Sequence, residues 1–183
     1  MIEGRLVDLR ARSIADAERA ERWMSDTEIA HNMGERYGVS LSSTQRRLEE
    51  RTGKFMDFSG LLLAIDTKDG EHIGSCSLFN TSPEDHSAWL GIMIGERAYW
   101  SKGYGSDALV TLCRFGFEEM GLNRMGLEVW SFNEHAMRCY RRCGFAEEAR
   151  LREDVYLDGK HHDNVVMSLL RDEFVAQHAR TEG

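Results

Sequence analysis

No stretch of this 183-residue sequence approaches the roughly 18 consecutive apolar residues that a membrane-spanning helix needs. Its opening, MIEGRLVDLR, lacks the hydrophobic core of an export signal, so a cytoplasmic protein with no membrane partner is expected. Metal-binding spacing is absent too. The four cysteines, Cys76, Cys113, Cys139 and Cys143, form no CxxC pair and no Cys/His ligand set. No metal is therefore expected, and a reducing compartment fits. Cys139 and Cys143 fall on one expected helix, where they read as packing residues. Basic charge is in deficit, 23 Lys and Arg against 31 Asp and Glu, for a net charge of −8. Such a balance repels nucleic acid phosphates and mildly favours cationic partners such as amines. No repeat, linker or low-complexity tract divides the chain, so one domain over 1–176 is expected, with a frayed tail at 177–183.

What the sequence does have is enough apolar residue, 42%, to fill the core of one globular domain. RLVDLRA reads as a first strand. IEGR at 2–5 also matches a processing-protease site of the kind a tag leaves behind, but the native strand is the preferred reading. SIADAERAERWMSD reads as a helix capped by Ser13, and SSTQRRLEERTG as a second helix stopped by Gly53. The polar, glycine-punctuated HNMGERYGVS between them reads as a loop able to line a substrate site. GLLLAI and HIGSCSLF flank the turn DTKDG, and SAWLGIMIG, apolar on both alternating faces, reads as a central strand buried on both sides. A helix from Ser106 to Met120, a strand RMGLEVW, and a short helix from Asn133 to Gly144 follow. LREDVYL and NVVMSLL, joined by DGKHHD, close the chain as a hairpin. The fold class is α+β: a mixed, mostly antiparallel sheet flanked by helices, with one parallel strand pair from a right-handed β-α-β crossover over about residues 88 to 130.

The chemistry concentrates in YWSKGYGSDA, residues 99–108. Glycines one residue apart at a helix start let backbone N–H groups turn inward on an anion, and phosphate is the natural guest. A Walker loop is excluded, because Lys102 precedes Gly103 and no Ser or Thr stands where magnesium needs it. Gly103, Gly105 and Ala108 satisfy G-x-G-x-x-A, with Glu128 about twenty residues on. A dinucleotide fold, however, runs its strand straight into the first glycine, whereas ERAYWSK intervenes.

KGYG after the strand LGIMIG, followed by NEHAMRCYRRCGF with Asn133, Ala136, Tyr140, Gly144 and Phe145, resembles the GNAT superfamily of N-acetyltransferases. The nearest branch holds the ribosomal-protein alanine and serine acetyltransferases and spermidine acetyltransferase. The likeness runs from RLVDLR to MSLLRDEF; Trp100 departs from it where many members carry Arg or Gln. The resemblance implies acetyl-CoA as co-substrate and a splayed central strand pair. It implies that Ser101, Lys102, Gly103, Tyr104, Gly105 and Ser106 anchor the diphosphate, and that the backbone of Met93 and Ile94 holds the pantetheine arm and polarises the thioester carbonyl. It implies that Asn133 bonds the pantetheine amide while capping its helix, and that Tyr140 protonates the departing thiolate. A homodimer is also expected from it.

Asn133 and Tyr140, seven apart, share one helix face, with the small Ala136 between them. The base is open between Glu128, Glu96, His86 and a water chain. Arg141 and Arg142 either reach a nucleotide phosphate or form a solvated helix end, and His161 and His162 are expected in solvent. The function implied is direct acetyl transfer, in a ternary complex, to a protein N-terminus, a polyamine or another small amine. A non-catalytic coenzyme A-binding regulator is the alternative.

Overall fold

The computed structural model describes residues 1–34, 42, 45–46 and 60–178. The strands are β1 (Ile2–Glu3), β2 (Val7–Ala11), β3 (Gly60–Thr67), β4 (His72–Ser82), β5 (Ser87–Ile94), β6 (Arg124–Trp130), β7 (Ala146–Leu157) and β8 (Lys160–Leu170). The helices are α1 (Ala17–Met24), α2 (Thr27–Asn32), α3 (Tyr104–Glu118), α4 (Glu134–Arg142) and α5 (Arg171–His178). One sheet carries all eight strands in the order β1-β2-β3-β4-β5-β6-β8-β7. Among the described strands only β5 and β6 run parallel, joined through α3 as the crossover requires.

Alternation along the strands assigns the two faces. Ile73, Ala88, Leu90, Met125, Leu127 and Val129 share one buried core with Leu109 and Leu112 of α3, Met137 of α4 and Phe174 of α5. Their neighbours point the other way. His72 packs edge-on against Trp23 of α1 at 5.0 Å, and Trp130 lies against Gly34, just beyond α2. Helices α3, α4 and α5 therefore cover one face, and α1 with α2 the other.

Several sequence boundaries move, each for a local reason. The first expected helix, residues 13–26, divides into a 3-10 turn at Ile14–Asp16 and α1, and α2 follows outside it, because Asp26 accepts from the N–H groups of Glu28 and Ile29 and starts a new helix. His31 and Asn32, read as loop, are its last turn. Ser42, Gln45 and Arg46 are helical, whereas Gly53 and the rest of the substrate-site loop after Gly34 lie outside the described residues. The tail boundary at 177 falls too early: α5 runs through His178, and the Gln177 side chain donates to the Arg142 carbonyl at 2.9 Å. IEGR is built into the fold. Glu3 pairs with Asp8, Gly4 fits where a Cβ would strike Thr111 of α3 at 2.5 Å, and Arg114 donates to the Glu3 carbonyl.

Beneath α1 lies a charged knot. The Asp16 carboxylate is buried and accepts from Arg10 at 2.8 and 2.9 Å and from the Ser13 N–H at 2.7 Å. Burial alone would raise its pKa, but the Arg10 guanidinium, the Ser13 N–H and His72 outweigh it and hold the carboxyl at about 2. The unfolded value is 3.8, so this contribution is complete above that pH and disappears as pH falls toward 2. Asp16→Asn leaves Arg10 with Asp66, at 2.7 Å, as its remaining carboxylate and should cost about 2 kcal/mol at neutral pH. Urea titrations should show wild type and variant converging as the solution is acidified through that window.

Candidate functional site

The sheet opens where β5 meets β6. Their ladder has only three register pairs, Ser87 with Arg124, Ala88 with Met125 and Trp89 with Gly126, although both strands continue beyond it. From Leu90 to Ile94 the two strands diverge without pairing. The same divergence corrects the reading of SAWLGIMIG as buried on both sides: Ala88 and Leu90 are buried, but Ile92, Met93 and Ile94 are half-exposed.

Ladder alternation decides which backbone groups face the opening. Gly95 N–H donates to the Ile73 carbonyl at 2.8 Å, and the Met93 carbonyl lies so near Gly74 that a Cβ there would come within 2.2 Å of it. Met93 and Gly95 thus turn their backbone groups toward β4. Those of Ile92 and Ile94 turn toward the opening. Sequence reading names Met93 here, whose backbone faces β4, while that of its neighbour Ile92 faces the opening; in two apolar neighbours the difference leaves no signal until the register is known. Ile94 does face the opening. Its carbonyl accepts from the Trp100 indole N–H at 2.7 Å, so Trp100, the residue that departs from the family pattern, holds one lip of the gap with its ring.

On the α3 side of the opening lies the glycine loop. Ser101 and Gly103 both take positive φ, 60° and 91°, which turns the chain sharply ahead of the helix. Gly103 is the N-cap and supplies no side-chain acceptor, so the N–H groups of Tyr104, Gly105 and Ser106 are uncapped at the positive end of a 15-residue helix. Gly105 stands where a Cβ would reach 3.4 Å from Ile94, which sets the loop beside the gap. Asp107, a carboxylate in the first turn, would oppose an anion, but it accepts from the N–H groups of Leu6 and Val7 at 2.7 and 3.1 Å. Lys102 is exposed, with no ion-pair partner among the described residues. Uncapped donors, two positive-φ turns and a free lysine make a cradle that fits a diphosphate.

Helix α4 completes this side. Asn133 Oδ1 accepts from Ala136 N–H at 3.1 Å, which caps the helix and leaves the amide nitrogen to donate elsewhere. Tyr140 and Ala136 pack against the core cluster that Ile92 and Ile94 also join. The Tyr140 ring stands 6.2 Å from that of Phe145, and among the described residues its hydroxyl has no hydrogen-bond partner. Burial, with the neighbouring Cys139 and Cys143 thiols, pushes the phenol well above its ordinary value, so it keeps its proton. Arg141 faces solvent and pairs with Glu147 at 3.1 Å, the solvated helix end of the two readings.

The face under α1 and α2 sorts the candidate bases. Glu128 alternates with Leu127 and Val129, so it points away from α3; it is exposed and has no partner among the described residues. Glu96 is committed, paired with Arg22 and accepting from Trp23 Nε1 at 3.0 Å. His86 precedes Ser87 at the closed end of the strand pair, roughly 26 Å of strand from Ile94. Glu128 is the carboxylate left beside the gap.

A cleft of about 850 Å³ opens on this face beyond the ends of β5 and β6, lined by residues that include Asp26, Glu28, His31, Arg97, Phe132 and Asp158. Its carboxylates have partners. Arg97 donates to Asp26 at 2.7 and 3.0 Å and to Glu28 at 2.5 Å, and His31 Nδ1 lies 3.3 Å from Asp158. The Arg97 guanidinium also sits 5.0 Å from the Trp100 ring, which links this cleft to the lip of the gap. His161 is exposed as expected; His162 is half-buried, lines the cleft and meets Phe132 edge-on at 4.8 Å. No cluster of three metal-ligating side chains occurs among the described residues, and no described helix is long and apolar enough to cross a membrane.

Comparison with known proteins converges on one family. The acetyltransferase (GNAT) domain matches residues 6–146. A Bacillus subtilis protein named "Putative ribosomal N-acetyltransferase YdaF" is 32% identical over 161 residues, 88% of this chain and 83% of that one. The Escherichia coli spermidine N(1)-acetyltransferase is 27% identical over 110 residues, 60% of this chain and 59% of its own. Among solved structures, spermidine N-acetyltransferase from Vibrio cholerae, in complex with CoA and spermine, superposes with a TM-score of 0.85 at 20% identity, covering 93% of this chain and 98% of its own. The splayed parallel pair, the uncapped glycine loop and these matches together place the chain in the GNAT family, as an N-acetyltransferase that acts on an amine.

Proposed function

We propose that the protein moves the acetyl group of acetyl-CoA directly onto a neutral amine, with the two reactants entering from opposite faces of the sheet. One observation carries this reading: the β5–β6 ladder stops after three pairs, with the glycine loop and Tyr140 on the α3 face of the unpaired stretch and Glu128 on the opposite face. The co-substrate supplies an activated thioester. Everything else falls to the chain. N–H groups of Tyr104, Gly105 and Ser106, with Lys102, hold the diphosphate, and the backbone of Ile92 and Ile94 aligns the arm as an added strand would. A fixed N–H donor at the developing oxyanion is worth roughly 2.7–4 kcal/mol. Glu128 takes a proton from the amine on the cleft side, and Tyr140 gives one to the sulfur on the other.

The cleft guides the choice of acceptor. A long polycation is held by unpaired carboxylates spaced along it, and among the described residues Asp26, Glu28 and Asp158 each face a cationic or imidazole partner. This favours a protein or peptide N-terminus, with a single amine to deliver; a polyamine is the second reading, supported by the spermidine acetyltransferase relatives. Coenzyme A release should be followed over a panel of N-terminal peptides, spermidine and simple alkylamines. Release with peptides above that with spermidine is the expected result. Tight acetyl-CoA binding with no release for any amine would instead make the protein a coenzyme-binding regulator.

A further inference from the structure

The reaction outlined above leaves one pair of nucleophiles unused. Cys139 lies in α4 and Cys143 caps its C-terminal end one turn on, and both thiols turn toward the first turn of α3. Cys139 Sγ lies 3.2 Å from Ser106 Oγ, and Cys143 Sγ lies 3.9 Å from the Ser106 carbonyl oxygen. Ser106 is the third residue of α3, so the half-buried Cys139 sulfur stands at the helix end that favours negative charge. The neighbouring Cys143 thiol, with Ser106, Arg142 and His135, holds the Cys139 thiol below its ordinary value against the opposing effect of burial. Cys143 moves up in exchange. The other two cysteines are different. Cys76 and Cys113 are buried in the core, where burial pushes the Cys76 thiol up to about 12 and the Cys113 thiol up as well. Packing alone accounts for those two. Cys143 shares that core and Cys139 packs against it, but packing alone does not set the half-buried Cys139 sulfur 3.2 Å from the Ser106 hydroxyl at the rim of an anion cradle.

We propose that Cys139 is a site of reversible S-thiolation by low-molecular-weight disulfides, and that the mixed disulfide closes the cradle at Ser101–Ser106 to its diphosphate. The step balances without another oxidant. The Cys139 thiolate attacks one sulfur of the disulfide, whose S–S bond breaks as the new one forms; the released thiolate takes a proton from water. A thiol such as glutathione brings carboxylates with it. Tethered beside Ser106, these have the N–H groups of Tyr104, Gly105 and Ser106 within reach, the same donors the diphosphate uses. Excess thiol reverses the exchange.

The closing effect rests on the diphosphate reading of the loop, so acetyl-CoA affinity is measured first on untreated full-length protein by calorimetry. The protein is then incubated with glutathione disulfide at neutral pH, and the adduct is mapped by peptide mass spectrometry. The expected result is one glutathionyl group on Cys139, none on Cys76 or Cys113, and protection when acetyl-CoA is present. Affinity for acetyl-CoA should fall by roughly tenfold or more in the modified protein and return with dithiothreitol. Cys139→Ser keeps a hydroxyl against Ser106; it should bind acetyl-CoA as wild type does, and that affinity should be indifferent to the disulfide. An unlabelled Cys139, or a labelled Cys139 with unchanged acetyl-CoA affinity, would overturn the proposal. If untreated protein binds no acetyl-CoA, the diphosphate reading and the closing effect both fall, whereas reactivity of Cys139 is decided by the mass map alone.

Discussion

Tyr140→Phe should lower kcat by about 10²–10⁴-fold while leaving the dissociation constant for acetyl-CoA nearly unchanged. The substitution removes one oxygen from a ring that otherwise stays packed beside Phe145. If the hydroxyl were only a packing group, melting temperature would move and turnover would not. Its surroundings argue for a proton donor. Burial and the adjoining thiols push the phenol above its ordinary range, and no described side chain takes its hydrogen. A departing thiolate, conjugate to an acid of pKa about 8.5, is a poor product to leave charged in such a place, and a phenol that is still protonated there is the group able to neutralise it. It follows that wild-type kcat should show no alkaline fall caused by this tyrosine across the working range. Stopped-flow measurement of a single turnover separates loss of the chemical step from slow product release.

Glu128→Gln should produce the second large effect, about a 10²-fold or greater loss of kcat/KM near neutral pH. That loss should shrink as pH rises, because an amine that has already shed its proton needs no base. The pH of recovery reports the acceptor itself: near 8 for a peptide α-amine and near 10 for an alkylammonium. A deficit that is flat with pH would remove Glu128 from the proton path. Glu96 offers a contrast, since its bonds to Arg22 and Trp23 tie α1 to the end of β5. Glu96→Gln should therefore disturb stability more than the pH profile.

Much of this arrangement was legible in the sequence, and the parts that were not share a cause. Local chemistry announced itself: Asn133 and Gly144 bracket α4, the glycines of KGYG mark the turn into α3, and DTKDG and DGKHHD mark two hairpins. Facts about register did not. Whether Met93 or Ile92 presents its backbone to the gap depends on which residue of β4 lies opposite, and a one-residue change reverses the answer. The role of Trp100 was hidden for a similar reason, because its indole N–H reaches a carbonyl six residues back only once the 3-10 turn at Arg97–Tyr99 has folded. The base could be narrowed only in three dimensions. Glu128, Glu96 and His86 are equivalent as letters; one is exposed beside the slot, one is tied to two partners, and one stands at the wrong end of the strand.

The brief pairing of β5 with β6 has a mechanical meaning as well as a chemical one. Five strands on one flank and three on the other are riveted through three residue pairs, with α3 as the strap across the seam. On the proposed reading an extended guest lying in that seam would lend its own amides to the banks, turning two swatches that share a short hem into one continuous fabric.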